Sequence, residues 1–86
     1  MKEFIYNVND SLGIHARPAG QLVKQASDFK SRITISMEDK EADAKKLLGI
    51  MGLGIKKDHE ITIRADGEDE NEAIEALSTL LKKNKF

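Results

Sequence analysis

The stretch ARPAGQLVKQA, residues 16–26, and the stretch RITISM, residues 32–37, decide the fold of this chain. The first has apolar residues at i, i+3, i+4 and i+7, which is the spacing of one face of an amphipathic helix: Ala19, Leu22, Val23 and Ala26. The second alternates apolar and polar residues with the period of a β-strand. The chain therefore contains a helix followed directly by a strand, and Pro18 fits the first helical turn, where no N–H is needed.

The other predicted elements lie on both sides of this stretch. Strands are predicted at residues 2–8, 41–44 and 60–65, and helices at residues 46–53 and from about 69 to 83. The order β-α-β-β-α-β-α predicts an α+β fold with three helices on one face of a four-stranded, mostly antiparallel sheet. The opposite face would be solvated, because polar residues alternate with apolar ones along the strands.

Composition narrows the class of protein. A chain of 86 residues, 40% apolar and 34% charged, predicts a single domain over residues 1–86. The absence of cysteine excludes disulfides, zinc–thiolate sites and a thiol nucleophile. A net charge of −1 argues against nonspecific binding to nucleic acid or membrane surfaces. With no membrane-length apolar segment and no signal peptide, we expect a cytoplasmic location.

The segment GIHARPAG, residues 13–20, is the candidate for chemistry. His15 directly precedes a helix, and the free N–H groups of a first turn form a natural anion site. Pro18 cannot donate, so the nearest donors should include Ala16 and Arg17. The helix dipole and Arg17 both favour the neutral imidazole, which is a nucleophile. The alternative is that His15 is only a capping or exposed histidine and Arg17 an ordinary surface charge.

The segment LLGIMGLGI, residues 47–55, holds more large apolar residues than a short helix buries on one face. One interpretation is that most of them pack onto the sheet. The other is that Leu48 and one or two neighbours stay exposed as an apolar docking patch for a protein. The run Gly49-Ile-Met-Gly52 is also similar to the GXXG loop of KH RNA-binding domains. His15 and His59 have no metal-ligand spacing, so neither a metal site nor a cofactor is predicted, and His59 is expected to be solvated.

The two segments resemble the signatures of a known family. Residues 13–20 resemble the active-site signature of HPr, the histidine-containing phosphocarriers of the bacterial sugar phosphotransferase system, and residues 45–54 resemble its second signature region. The similarity extends over essentially the whole chain. It implies an open-faced β-sandwich. It also implies a relay, in which enzyme I phosphorylates Nδ1 of His15 and the protein passes the phosphoryl group to IIA domains of sugar permeases. The protein would be a carrier in this relay and not a stand-alone enzyme.

The resemblance also implies roles for individual residues. Arg17 corresponds to the family's active-site arginine, which helps to hold the phosphoryl group, beside the backbone donors of Ala16 and Arg17 expected from the helix start. The positions at which the family docks its partners correspond to Ala16, Gly20, Lys24, Leu47, Leu48 and Met51. Gly20 is smaller than the residues common at its position, so its share of the contact should be reduced. We expect the carrier to act as a monomer, without nucleic acid or membrane insertion.

The chain departs from the family at Lys46. Many members have a serine there, which an HPr kinase phosphorylates, and a lysine cannot accept that phosphate. Regulation through this serine is therefore predicted to be absent. Residues 11–57 carry nine Lys/Arg against five Asp/Glu, and Lys46 belongs to this basic part. We hypothesise that Lys46 joins Arg17, Lys24 and Lys45 in recruiting acidic partners.

Three other functions stay open at this stage. The first is a regulatory binding module of the same fold that has lost phosphotransfer, against which the intact His15 and Arg17 argue. The second is a phosphocarrier of the nitrogen-related branch, which feeds regulators instead of sugar permeases. The third is the KH-like RNA binder, which only the GXXG run favours.

Overall fold

The computed structural model of the chain describes residues 1–86 and contains four strands and three helices. The elements follow in the order β1-α1-β2-β3-α2-β4-α3, as the sequence predicts. Their bounds are β1 Lys2–Asn7, α1 Ala16–Ala26, β2 Arg32–Met37, β3 Lys40–Asp43, α2 Leu47–Met51, β4 Glu60–Asp66 and α3 Glu70–Lys83.

All strand pairs of the sheet are antiparallel, and the spatial order is β1-β4-β2-β3. Strand β4 therefore lies in the middle, with Ile63 opposite Phe4 on one side and Ile35 on the other. The predicted return strand is displaced by one residue and ends at Asp43. Ala44 lies just beyond β3, yet it is buried and its N–H donates to the carbonyl of Ile33 at 2.9 Å.

The helices cover one face of the sheet, and the buried strand residues point towards them. Alternate residues of β2 and β4 are fully buried there: Ile33, Ile35, Ile61, Ile63 and Ala65. The opposite face carries polar side chains, as predicted, and the guanidinium of Arg64 forms a cross-strand ion pair with Glu3 at 3.0 Å. One-sided burial explains the alternation in the sequence, because every second strand residue meets water.

Helix α3 closes the core over β1 and β4. Its buried stripe consists of Ala73, Leu77 and Leu81, which are spaced by four residues and so follow one side of the helix. The hydroxyl of Tyr6 donates to the carbonyl of Leu81 at 3.1 Å and joins β1 to this helix. None of the three helices combines the length and the apolar content that crossing a bilayer requires.

Candidate functional site

The loop between β1 and α1 is ordered by Asp10. Its carboxylate oxygen Oδ1 accepts the N–H of Leu12 at 2.9 Å, and its carbonyl accepts the N–H of Gly13 at 2.8 Å. The N–H groups of Asn9 and Asp10 both donate to the carbonyl oxygen of Phe86, at 2.6 and 2.7 Å. The loop is therefore fixed from two directions, by its own turn and by Phe86, three residues beyond the end of α3.

Gly13 lets this loop approach the segment before β4. Its φ of +71° is one that L side chains rarely adopt, and a Cβ at this position would lie 2.2 Å from the carbonyl oxygen of Ile55. The next residue, Ile14, is buried and donates its N–H to the same oxygen at 3.1 Å. Since Ile14 points into the core, His15 is directed to the surface at the start of α1.

His15 is the N-cap residue of α1, with an extended backbone, and its carbonyl accepts the N–H of Ala19 at 3.0 Å. Its imidazole makes no capping hydrogen bond to the helix. The N–H groups of Ala16 and Arg17 have no protein partner, and Pro18 has no N–H to donate. The two donors expected from the sequence are thus available beside the ring.

A carboxylate also faces the ring, which the sequence analysis did not anticipate. Oδ2 of Asp10 lies 3.5 Å from Nε2 of His15, and these side chains are 25% and 32% exposed. The pKa of Asp10 is lowered, first by the hydrogen bond from the Leu12 N–H and further by His15 and Arg17. The signal in the sequence is an Asp between a strand and a helix, since an Asp side chain often accepts a hydrogen bond from the backbone two residues on, as in an Asx turn.

Arg17 is exposed and forms no ion pair within 4.0 Å in the structure. Its guanidinium is nevertheless close enough to Asp10 to help lower the pKa of that carboxyl. Asp10, His15 and Arg17 therefore belong to one electrostatic neighbourhood. An arginine without a fixed partner is able to bind an incoming anion through its planar set of N–H donors.

The predicted docking residues of α1 follow one line along the helix. Ala16, Gly20 and Lys24 are spaced by four residues, and Ala16 and Lys24 are exposed, whereas Gly20 is half-buried. Helix α2 packs beside α1. The line runs from the residue after His15 along α1, and α2 lies against the same helix.

Each interpretation of the apolar segment 47–55 holds for some of the residues in and just after helix α2. Leu48 is 83% exposed, and Leu47 and Met51 are 40% and 41% exposed, whereas Ile50 and Leu53 are buried. The packing interpretation holds for Ile50 and Leu53, and the exposure interpretation holds for the other three. We call the predicted docking residues of the two helices the α1–α2 face: Ala16, Gly20, Lys24, Lys46, Leu47, Leu48 and Met51.

The two lysines before α2 differ in their surroundings. Lys46 is exposed and is the N-cap residue of α2. Lys45 is half-buried, and its Nζ donates to the carbonyl of Phe29 at 2.7 Å. Because its ammonium donates to that carbonyl, Lys45 is not among the cations that are free to meet a partner, in contrast to the hypothesis from the sequence.

Leu12 is an exposed apolar residue of the loop before His15, and the sequence did not indicate its exposure.

The run Gly49–Gly52 and His59 have structural roles that differ from those considered for them in the sequence. The run Gly49–Gly52 lies in α2 and its C-cap, with Ile50 fully buried, so it is not the exposed GXXG loop of a KH domain. His59 is half-buried and not simply solvated, because its Nδ1 accepts the N–H of Lys56 at 3.0 Å. It stabilises the loop before β4.

The geometry defines a surface site and not an enclosed one. The three cavities of the structure are lined by other residues, and none includes His15. A half-exposed imidazole beside two unpaired backbone N–H groups and a guanidinium is suited to a small anionic group attached to the ring. The imidazole is instead partly open to solvent at the surface of the molecule.

Comparison with known proteins agrees with this chemistry. A family model described as the PTS HPr component phosphorylation site matches residues 2–83. The phosphocarrier protein HPr of Lysinibacillus sphaericus is 51% identical over 81 residues, which cover 94% of this chain and 92% of that protein. A solved structure of a mycoplasma histidine-containing phosphocarrier protein superimposes with a TM-score of 0.95 at 39% identity, covering 98% of this chain and 96% of that one.

A further solved structure bears on the oligomeric state. An HPr dimer from Thermoanaerobacter tengcongensis matches with a TM-score of 0.79 at 38% identity, covering 100% of this chain and 99% of that one. Since a similar chain was solved as a dimer, the monomer expected from the sequence stays a prediction.

Proposed function

This chain belongs to the HPr family, the phosphocarriers of the phosphotransferase system, and we propose that His15 is the residue that carries the phosphoryl group. The observation that carries this proposal is the position of the ring. His15 stands half-exposed at the N-cap of α1, beside the unpaired N–H groups of Ala16 and Arg17. A neutral imidazole nitrogen is a nucleophile for phosphorus.

In the proposed step, a ring nitrogen of His15 forms a bond to phosphorus while the bond between phosphorus and the donor breaks. The electron pair of the broken bond leaves with the donor. Charge is spread over the phosphoryl oxygens in such transfers, and hydrogen-bond donors fixed in advance stabilise it. Ala16 and Arg17 supply two backbone donors, and the Arg17 guanidinium supplies a mobile positive charge.

We assign the two half-reactions to protein partners that dock on the α1–α2 face. Enzyme I would donate the phosphoryl group, and IIA domains of sugar permeases would accept it. The exposed Leu47, Leu48 and Met51 support this assignment, since they form an apolar patch and the flexible, unbranched side chain of Met51 suits a surface that meets more than one partner. A carrier with an exposed phosphoryl group is accessible to each partner in turn.

We further propose that this carrier is not regulated by phosphorylation at position 46. Lys46 takes the N-cap place of α2, where a serine would offer its hydroxyl to a kinase. The lysine offers a positive charge in the place of a phosphoserine's negative charge. Because the positive charge of Lys46 is always present, the α1–α2 face favours acidic partners at all times. No phosphorylation switch operates at this residue.

The phosphoacceptor is tested by incubation with phosphoenolpyruvate and enzyme I, followed by mass spectrometry. The wild type should take up one acid-labile phosphoryl group, and His15→Ala should take up none. His59→Gln, a change at the other histidine, should take up phosphate as the wild type does. The proposal fails if the wild type is not labelled or if His15→Ala is labelled equally.

Position 46 is tested with an HPr kinase and ATP. The wild type should acquire no stable phosphoserine, whereas Lys46→Ser should acquire one. Lys45→Ser is the matched control, since it places a serine one residue earlier and should stay unlabelled. A phosphoserine on the wild-type chain would contradict the proposed loss of this regulation.

Acceptor domains separate the sugar branch from the nitrogen branch. We propose the sugar branch, so the phosphorylated chain should lose its label to a sugar-permease IIA domain faster than to a nitrogen-branch one. The opposite preference would move the chain to the nitrogen branch. The cytoplasmic location and the monomeric state stay predictions, to be checked by cell fractionation and by light scattering.

A further inference from the structure

We propose that Asp10 is a positioning residue for His15, whose carboxylate keeps a proton on Nε2 and so presents Nδ1 as the nucleophile. The inference rests on the proposed function and adds to it the group that selects the reacting nitrogen. The two residues meet inside the site, where the loop after β1 approaches the N-cap of α1.

The contact distinguishes the two ring nitrogens. Nε2 of His15 faces Oδ2 of Asp10 at 3.5 Å, whereas Nδ1 has no hydrogen-bond partner in the structure. A neutral imidazole carries one N–H, and its other nitrogen carries a lone pair. A proton on Nε2 attracts the carboxylate, whereas a lone pair there repels it. The carboxylate therefore favours the tautomer in which the lone pair is on Nδ1.

The distance of 3.5 Å is longer than the usual N–H···O range of about 2.7–3.2 Å. Hydrogen bonds in active sites are often long in the free protein and shorten when the reaction partner binds. Both side chains are partly buried, with 32% of the His15 side chain and 25% of the Asp10 side chain exposed, so the contact is only partly screened by water.

Asp10 is held so that only one of its oxygens is engaged elsewhere. Oδ1 accepts the N–H of Leu12 at 2.9 Å, while its own backbone N–H donates to the carbonyl oxygen of Phe86 at 2.7 Å. The side chain is fixed at both ends, and Oδ2 is left for His15. The same Leu12 hydrogen bond, with smaller contributions from His15 and Arg17, lowers the pKa of Asp10 and keeps the carboxyl ionised.

Asp10 also stabilises the product of the step. When the Nδ1–P bond forms, the bond from phosphorus to the donor breaks and its electron pair leaves with the donor. The proton stays on Nε2, so the ring of the phosphohistidine carries a positive charge next to the carboxylate. A charge-assisted contact of this kind is stronger than a neutral one. Asp10 thus favours phosphoryl uptake in two ways: it presents the lone pair of Nδ1 before the transfer, and it stabilises the positively charged ring after the transfer.

The test uses Asp10→Asn in the full-length chain. Asparagine keeps Oδ1 as the acceptor for Leu12, and so keeps the turn, but its amide does not attract the Nε2 proton. ¹⁵N NMR of His15 at alkaline pH, where the ring is neutral, measures the two tautomers. The ratio of the Nε2–H to the Nδ1–H tautomer should fall about two- to tenfold, the range of one hydrogen bond.

Asp43→Asn is the matched control, because Asp43 forms the same turn before α2. Its Oδ1 accepts the N–H of Lys45 at 2.8 Å, two residues on, as Oδ1 of Asp10 accepts that of Leu12. The substitution removes the same charge and keeps the same turn. It should leave the His15 tautomer ratio at the wild-type value.

Phosphoryl uptake from enzyme I supplies the second readout. Asp10→Asn should slow uptake about two- to tenfold, and Asp43→Asn should not. An unchanged tautomer ratio in Asp10→Asn overturns the positioning role even if uptake slows. A ratio that falls as expected, in a protein whose wild type takes up no phosphate, supports the role of Asp10 and removes the proposed function.

Discussion

The carboxylate of Asp69 accepts hydrogen bonds from both the backbone N–H and the side-chain hydroxyl of Ser31. Ser31 is 1% exposed and lies in the turn between α1 and β2, whereas Asp69 is the N-cap residue of α3. The second carboxylate oxygen accepts the N–H of Lys30 at 2.8 Å. The Asp69 side chain therefore joins the segment between α1 and β2 to the beginning of α3.

This contact predicts an acid-sensitive contribution to stability. The pKa of Asp69 is lowered, first by the Ser31 hydroxyl and then by the Lys30 N–H. A carboxyl with a lowered folded pKa stabilises the protein above its unfolded pKa of about 4 and loses this effect as the pH falls through the folded value. The difference in unfolding free energy between wild type and Asp69→Asn should be largest above about pH 5 and should shrink towards acid. Urea unfolding over a pH series measures it.

Asp39→Asn is the control, because Asp39 is exposed in the turn between β2 and β3. It makes the same change of charge and should follow the wild-type pH profile. An Asp69→Asn difference that stays constant over the whole pH range would show that amide geometry, and not ionisation, is responsible.

The Ser31–Asp69 contact also marks the boundary of what the sequence predicts. The periods of α1, β2 and β4 identify these elements, because each buries one face against a common core. The sequence predicts Asp69 only at the start of the last helix. Its bond to Ser31, 38 positions earlier, depends on how two loops meet. No local pattern specifies that meeting.

The candidate site also combines contacts that are local in sequence with one that is not. The local pattern placed His15 before the helix and Ala16 and Arg17 as free donors, because helix geometry alone leaves these N–H groups unpaired. The approach of Asp10 to the ring requires the turn onto Leu12 and the anchoring at Phe86, which is remote in sequence. Likewise, the spacing in α2 singles out Leu48 as exposed but does not decide whether Leu47 and Met51 are exposed with it, since a five-residue helix defines its face poorly.

Gly20 provides a prediction on stability. It lies inside α1, and a Cβ at this position would meet no atom within 4 Å. Gly20→Ala should therefore stabilise the protein by about 0.5–1 kcal/mol, because alanine loses less backbone entropy on forming a helix. Chemical unfolding measures the gain. Phosphoryl uptake measured on the same variant shows whether the added methyl group alters docking.

Gly13→Ala is the contrasting substitution. Its Cβ would collide with the Ile55 carbonyl oxygen, and its φ is unfavourable for alanine, so it should be destabilising. Equal effects of the two substitutions would contradict the distinction between an open helical position and a close backbone approach.

Helix α2 allows stability and docking to be separated. Leu48→Ala should change stability by less than about 0.5 kcal/mol, since Leu48 is 83% exposed. It should raise the KM of enzyme I for this protein about fivefold, the effect of losing about 1 kcal/mol of apolar contact. Thermal unfolding and initial rates of phosphoryl uptake give the two values.

Ile50→Ala is the matched change on the same helix, two residues later. Ile50 is fully buried, so this variant should lose about 2–5 kcal/mol of stability. If Leu48→Ala destabilises the fold to a similar extent, or leaves the KM unchanged, the assignment of Leu48 to the docking surface is wrong.

Lys46 predicts how association depends on salt. Replacing this exposed N-cap lysine by glutamate reverses one charge on the α1–α2 face, while an acidic residue suits the start of a helix. Lys46→Glu should therefore fold normally and slow phosphoryl uptake about three- to tenfold at low salt, because acidic partners are steered less strongly. The difference should largely vanish near 1 M salt, where the screening length is about 3 Å.

Lys30→Glu separates this local effect from the change in net charge. Lys30 is exposed beyond the far end of α1, opposite the end that carries His15, and its substitution alters the net charge by the same amount. It should leave uptake near the wild-type rate at every salt concentration. Equal slowing by Lys30→Glu and Lys46→Glu would mean that enzyme I responds to total charge. The lysine at position 46 would then have no special part in docking.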